Sequence, residues 1–252
     1  FLLLVHIKRI YFYLDMIIPY LWMKKILKAI LFDLDDTLYL ERDFVKSGFK
    51  TVASLIQNNN GIDKEVVFNR LLSIFNSGER KSIFDSYINE FGEINYTINE
   101  LVNLYRSHVP NIHLLPGINE YLLSLSRVYK LGLVTDGYIQ TQKNKIKALG
   151  LNNIFDQILI TEELGREFWK PSTVPFSKIC DKLGVIPMEA IYIGDNPKKD
   201  FKGPNQLKMD SIRLRLKDGE HYGSQPENKD FAPVIEIHSV KNLKIELNKY
   251  NV

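Results

Sequence analysis

The chain has 252 residues, of which 45% are apolar and 25% charged, with a formal net charge of +3. These values describe a globular protein with one large domain, or a core with a smaller companion, and with no long Lys/Arg block they give no basis for nucleic-acid binding. One cysteine, Cys180, excludes an internal disulfide and fits a reducing, cytoplasmic compartment, and one Cys with five His argues against a Cys/His zinc site.

Residues 1–22, FLLLVHIKRIYFYLDMIIPYLW, are apolar and aromatic but are interrupted by Lys8, Arg9 and Asp15. No apolar run reaches the length of about 18 residues expected of a membrane span. The charge-first order and cleavage site of a signal peptide are also absent. MKKILKAILFDLDD, from Met23, reads as a natural beginning. Residues 1–22 are therefore expected to be an extension outside the working protein, in preference to an interfacial anchor, which the apolar and basic mixture also fits.

From Met23 the pattern alternates. KAILFDL is a short apolar run of strand length, followed by YKLGLVTDG, FDQILIT, EAIYIGDN, MDSIRLRL and APVIEIHSV. Helical-period segments lie between most of these, at Thr141–Leu149, Ser172–Leu183 and Asp200–Leu207. Strands separated by single helices predict an α/β fold, a doubly wound, Rossmann-like parallel sheet. Between the first two strands, residues 41–115 hold no convincing strand, an insert far longer than an ordinary crossover. Phe44, Val45, Phe49, Val52, Leu55 and Ile56 fall on one stripe of a first helix there, and Val66, Val67, Leu71, Ile74 and Phe75 on one stripe of a second. Asp63 is placed to cap the second helix. KSIFDSYINEF and INELVNLYRSH predict two more. The expected organisation is an extension at 1–22, a core of 23–40 and 116–252, and a helical bundle of 41–115 inserted after the first strand.

Ligands of open parallel sheets bind beyond the carboxyl ends of the strands. DLDDT, TDG and GDNPKKD follow three of the strands, and Lys170–Pro171 opens a helix. Each alone has a plain reading: an aspartate after a strand is usually a turn or helix cap, and a lone lysine a solvated surface residue. Together they describe a chemistry. Asp33, Asp35 and Asp195 brought to one edge would repel and raise one another's pKa, a penalty that a hard cation such as Mg²⁺ removes. A carboxylate can act as nucleophile toward phosphorus. Thr135 offers a hydroxyl, and Lys170 a positive charge, where phosphoryl charge gathers.

These motifs resemble those of the haloacid dehalogenase-like hydrolases over essentially all of Met23–Val252. DLDDT matches the D-x-D-x-T motif, VTDG the second, Lys170 the third, and GDNPKKD the G-D-x-x-x-x-D form of the fourth. The insert stands where the family's C1 subclass carries its cap. A weaker likeness is to phosphatases related to those of flavin mononucleotide and pyrimidine nucleotides. The resemblance implies a phosphatase that uses Mg²⁺ and a phospho-aspartate. Asp33 would be the nucleophile and Asp35 the general acid and base. Asp33 and Asp195 would hold the metal by their carboxylates, and Asp35 by its carbonyl. Thr135, Asp136, Gly137 and Lys170 would bind the phosphate, with Lys170 also steadying the nucleophile. Thr37 would hold the loop shape, Asp200 would support the metal or Lys170, and Asp36 would be a structural or loop-capping residue. Asp136 stands where many members have Asn, which should alter local hydrogen bonding, and Gly203–Pro204 should change the start of the following helix.

A dehalogenase would not need an acid/base at Asp35, so the intact D-x-D favours phosphate. A phosphomutase shares the machinery and stays open, and a non-catalytic binding protein need not keep Asp33, Asp35, Thr135, Lys170 and Asp195 together. The expected partner is a small phosphate ester, with neither nucleic acid nor membrane. Sugar phosphates, nucleoside monophosphates and flavin mononucleotide are all open. Lys46, Lys50, Arg80, Lys81 and Tyr87 are the candidate specificity residues of the insert.

Overall fold

A computed structural model describes residues 26–92 and 95–251. The extension at 1–22 and the start at Met23 lie outside the described residues. All six expected strands form: β1 (Ala29–Phe32), β2 (Lys130–Thr135), β3 (Gln157–Ile160), β4 (Ala190–Gly194), β5 (Asp210–Leu214) and β6 (Ile235–Ile237). They make one sheet in the order β3-β2-β1-β4-β5-β6, and every pairing is parallel. The fold is therefore α/β and Rossmann-like.

The alternation of β1 explains the two helical layers. Ile30 and Phe32 face one side and join Leu133, Ile193, Ile212, α5 (Ile118–Leu125) and α9 (Val240–Asn248). Ala29 and Leu31 face the other side and meet Phe176, Ile179 and Cys180 of α7 (Val174–Leu183). All four β1 side chains are buried, as expected of a central parallel strand. The sequence reading did not single out α5 and α9. Each is a short helix of eight or nine residues, close to the limit at which a period can be read. After β4 the helix is shorter than Asp200–Leu207: α8 spans Lys202–Gln206, with Pro204 inside it.

The insert between β1 and β2 consists of α1 (Glu41–Asn60), α2 (Lys64–Asn76), α3 (Ile83–Phe91) and α4 (Ile98–Ser107). Phe49, Val52, Ile56, Val67, Leu71, Ile74 and Leu101 form its own apolar core. Asp63 caps α2 by accepting from the backbone N–H groups of Glu65 and Val66. Thr97 and Glu100 make a capping box on α4. Two stripe residues depart from expectation. Val66 is 51% exposed, because the Val67–Leu71–Ile74 side of α2 faces the bundle and Val66 is turned about 100° from it. Phe44 leaves the insert core for that of the sheet, against Tyr105 and His108.

The insert is tied to the sheet domain at several points. The Leu115 N–H donates to the Leu38 carbonyl where the chain leaves and re-enters the core. On α6 (Ile139–Ala148), Thr141 donates to the Arg106 carbonyl and Asn144 to those of Ser107 and His108. No helix among the described residues is long and apolar enough to cross a membrane.

Gly132 of β2 lets α7 lie close to the sheet: an added Cβ would sit 2.6 Å from Leu31 Cδ2 and 2.9 Å from Ile179 Cδ1. Gly132→Val is expected to lower unfolding stability by about 1–3 kcal/mol through overpacking. Val66→Ala should change it by no more than about 0.5 kcal/mol, as at an open surface site. Urea unfolding midpoints of the two variants check both the sheet packing and the outward orientation of Val66.

Candidate active site

The carboxyl ends of β1, β2 and β4 bring the sequence motifs to one edge. Asp33 directly follows β1, and its N–H continues the ladder by donating to the Ile193 carbonyl. Its carboxylate is buried and accepts from Lys170 Nζ at 2.8 Å. Lys170 also meets Asp200 Oδ1 at 2.8 Å and the Tyr192 hydroxyl at 2.8 Å. Asp200 is fully engaged, since its Oδ2 accepts from the N–H groups of Asp195 and Asn196.

Burial pushes the Asp33 carboxyl up to about 6 despite the nearby Lys170 charge. Burial also works against the Lys170 ammonium, but Asp200 and Asp33 outweigh it and hold its pKa above the usual lysine range. Asp195 is different. Burial, and then the charges of Asp200 and Asp33, push it well above the usual carboxylate range, and its Oδ2 is buried with no hydrogen-bond partner among the described residues. Asp33, Asp195 and Asp200 each offer an oxygen within 4.8 Å of the others. An orphaned carboxylate oxygen in such a trio is what a bound cation satisfies. Asp200 has committed both of its oxygens, so the available donors are those of Asp33 and Asp195. The side chain of Asp35 is not in the trio.

Asp35 points instead toward α6. Its carboxylate accepts from Lys145 Nζ at 2.6 Å, from Gln142 Nε2 at 3.0 Å and from the Tyr39 hydroxyl. Burial alone would raise its pKa, but the Lys145 charge and these hydrogen bonds hold it below the usual range. Lys145 is itself buried, with its ammonium 4.4 Å from the centre of the Phe44 ring. Asp36, at φ +50°, ties two segments together: it accepts from the N–H of Glu41, where α1 begins, and from that of Glu220, in the loop after β5. That is the loop-capping role the sequence assigned to it. The Thr37 hydroxyl is buried and has no partner among the described residues, so no side-chain hydrogen bond accounts for its place in the turn.

At the end of β2, Thr135 is buried and its hydroxyl accepts from Gln142 at 2.5 Å. Asp136 accepts from the Thr161 hydroxyl, the Lys170 N–H and the Lys199 ammonium. Gly137 has φ +138° and lies against Gln142, a place where a side chain would be strained and crowded. Arg213 of β5 is fully buried and holds the adjoining loops by donating to the Asp195, His221 and Ser224 carbonyls.

A cavity of about 300 Å³ opens onto Asp33, Asp35, Asp195, Lys170, Lys199 and Trp169. A second, of about 280 Å³, lies on the insert side, with Arg80, Lys81, Tyr105, Arg106 and Glu220 in its wall. Glu41 lines both, and burial beside Asp35 raises its pKa to about 7. The insert candidates therefore separate. Arg80 and Lys81 face the second cavity, and Arg80 pairs with Glu220. Lys46 and Lys50 line a different groove with His113, and Tyr87 is buried in the insert core. The sequence reading missed Tyr39, Gln142, Lys145, Tyr192 and Lys199. The available signal was the i, i+3 pair Gln142/Lys145 on one helical face just after TDG.

Aspartates and a buried lysine thus stand at the carboxyl edge of a parallel sheet, where ligands of such folds bind. Residues 30–214 match the model of the haloacid dehalogenase-like hydrolases, and the chain belongs to that family. It is 28% identical over 226 residues to a glyceraldehyde 3-phosphate phosphatase of Methanopyrus kandleri, covering 86% of this chain and 95% of that protein. To a protein of the same name from Methanocaldococcus jannaschii it is 30% identical, covering 86% and 99%. A HAD phosphatase from Thermococcus onnurineus superposes with a TM-score of 0.58 at 26% identity, over 88% of this chain and 98% of that one.

Lys170→Met should leave Asp33 and Asp200 buried without their cation, at a cost of about 3–5 kcal/mol near neutral pH. Without the Lys170 charge the Asp33 carboxyl, already raised by burial, lies further above its unfolded value, so the folded state takes up a proton as pH falls and stability is regained. The destabilisation is expected to be larger at pH 8 than at pH 5 in paired denaturant titrations.

Proposed function

We propose that this chain is a Mg²⁺-dependent phosphomonoesterase of the cytoplasm, with residues 41–115 serving as a cap over the site, acting on a small phosphorylated metabolite. The observation that carries the reading is the buried Asp33, 2.8 Å from the Lys170 ammonium and beside the unpartnered Asp195 oxygen. The donor set is all oxygen and anionic, which suits a hard divalent cation. Mg²⁺ held by Asp33 and Asp195, with the Asp35 carbonyl, would neutralise charge on the phosphoryl group.

The chain's own residues supply the rest. Asp33 attacks phosphorus and forms a phospho-aspartate while Lys170 offsets its charge. Asp35, two positions on, protonates the leaving oxygen and then takes a proton from the attacking water. As Lys145, Tyr39 and Gln142 hold it, Asp35 is a carboxylate, the form needed for the water step. Donating a proton to a leaving group first requires Asp35 to leave one of those partners and take up a proton from solvent. The presence of this acid/base separates the reading from halide displacement. A phosphomutase shares these parts, and dependence on a bisphosphate activator distinguishes it from turnover with water alone. The relatives that act on glyceraldehyde 3-phosphate place triose phosphates first in a substrate panel, followed by sugar phosphates, nucleoside monophosphates and flavin mononucleotide.

Turnover of p-nitrophenyl phosphate is expected with Mg²⁺ and should vanish in EDTA; full activity in chelator overturns the metal assignment. Asp33→Asn should fall to background. Asp35→Asn should accept phosphate from this activated ester but lose about 10²–10⁴ in the water step. Intact mass after acid quench should therefore show added phosphate on Asp35→Asn and none on Asp33→Asn.

A further inference from the structure

Lys170 cannot by itself supply new donors to a phosphate. An ammonium has three N–H donors, and those of Lys170 go to Asp33, Asp200 and Tyr192. The Thr135 hydroxyl is bonded to Gln142 and does not line the cavity. The cavity wall holds a second lysine, Lys199, in the turn after β4. Its side chain is 31% exposed, and its one hydrogen-bond partner among the described residues is Asp136 Oδ2, at 3.1 Å. Two of its three N–H donors are therefore uncommitted.

Asp136 contacts both lysines. One of its oxygens accepts from the Lys170 N–H at 3.2 Å and from the Thr161 hydroxyl at 2.7 Å. The other holds Lys199. A single carboxylate thus anchors the backbone of one lysine and the ammonium of the other. Asp33, Asp136, Asp195 and Asp200 outnumber the two lysines at the site, so an entering anion depends on whatever cationic donors are free.

We propose that Lys199 is the side chain that binds the non-bridging oxygens of the phosphate ester, through the donors that Asp136 leaves free, while Lys170 serves the Asp33 carboxylate. The plain alternative is a surface ion pair that only fastens the turn after β4. The proposal rests on the phosphatase reading above, and its test does not need turnover.

Inorganic phosphate is titrated calorimetrically, with Mg²⁺ present, into wild type, Lys199→Met, Lys199→Arg and Asp136→Asn. Losing a charged hydrogen bond should weaken phosphate binding about 10- to 100-fold in Lys199→Met, with Lys199→Arg recovering most of it. Asp136→Asn keeps an oxygen for Thr161 and the Lys170 N–H and releases Lys199, so phosphate should bind as tightly as in wild type or more tightly. A mere fastening pair would show the opposite pattern, with both substitutions weakening phosphate together. A loss of less than about fivefold in Lys199→Met, or an Asp136→Asn variant weakened as much as Lys199→Met, overturns the proposal. In p-nitrophenyl phosphate assays Lys199→Met should raise KM more than it lowers kcat. Wild-type turnover of p-nitrophenyl phosphate with unaltered phosphate affinity in Lys199→Met refutes the Lys199 role alone, and absence of that turnover in wild type refutes the phosphatase reading.

Discussion

The buried ammonium of Lys170 is the interaction around which the site is built. It sits at 2.8 Å from both Asp33 and Asp200, with its side chain removed from solvent. Desolvating that many charges is costly, and the cost is offset only when each is paired and hydrogen-bonded. Asp200 meets this condition twice over, holding Lys170 with one oxygen and the Asp195–Asn196 backbone with the other. Asp195 does not meet it. Among the described residues one of its oxygens has no partner, in a buried, negatively charged setting, and the proposed cation rests on that shortage.

A second ion pair reaches the same cavity through Asp35. Lys145 of α6 and Asp35 are 110 positions apart and meet at 2.6 Å. Gln142, one helical turn earlier, touches both Asp35 and Thr135. The same helix holds the end of α4 through Thr141 and Asn144. Helix α6 therefore connects the orientation of Asp35 to the seating of the insert. Asp36 makes a parallel connection on the other side, between the start of α1 and the loop that carries Glu220. The seating of the insert and the orientation of Asp35 are thus linked through the contacts of one helix.

The second cavity gives the insert its chemical character. Its walls combine aromatic rings of the insert core with Arg80, Arg106, Glu41 and Glu220. Opposite charges are balanced there, and Arg80 is already paired with Glu220. This space presents hydrogen-bonding groups of both signs rather than a single strong field. Glu41, at the join of the two cavities and with its pKa raised to about 7, can present either a donor or an acceptor near neutral pH.

The order of strands, their burial, the place of the insert and the cap at Asp63 were all legible in the sequence, because each depends on short-range periodicity or on a turn residue at a fixed offset. So was the clustering of Asp33, Asp35, Asp136, Lys170, Asp195 and Asp200 at strand ends, since a parallel sheet delivers all such ends to one edge. The partners of those charges were not legible. Lys170 meets Asp33 across 137 positions, Lys145 takes Asp35, and Lys199 takes Asp136, choices made by how strands and helices converge. Val66 turned outward and Tyr87 inward for the same reason: a stripe fixes one face of a helix, and only packing against its neighbours decides where that face begins and ends. Sequence determined which chemical groups reach the edge of the sheet. Tertiary structure decided which are neutralised, which are left wanting a ligand, and which lysine keeps free donors, because those outcomes depend on distances between residues that no local pattern encodes.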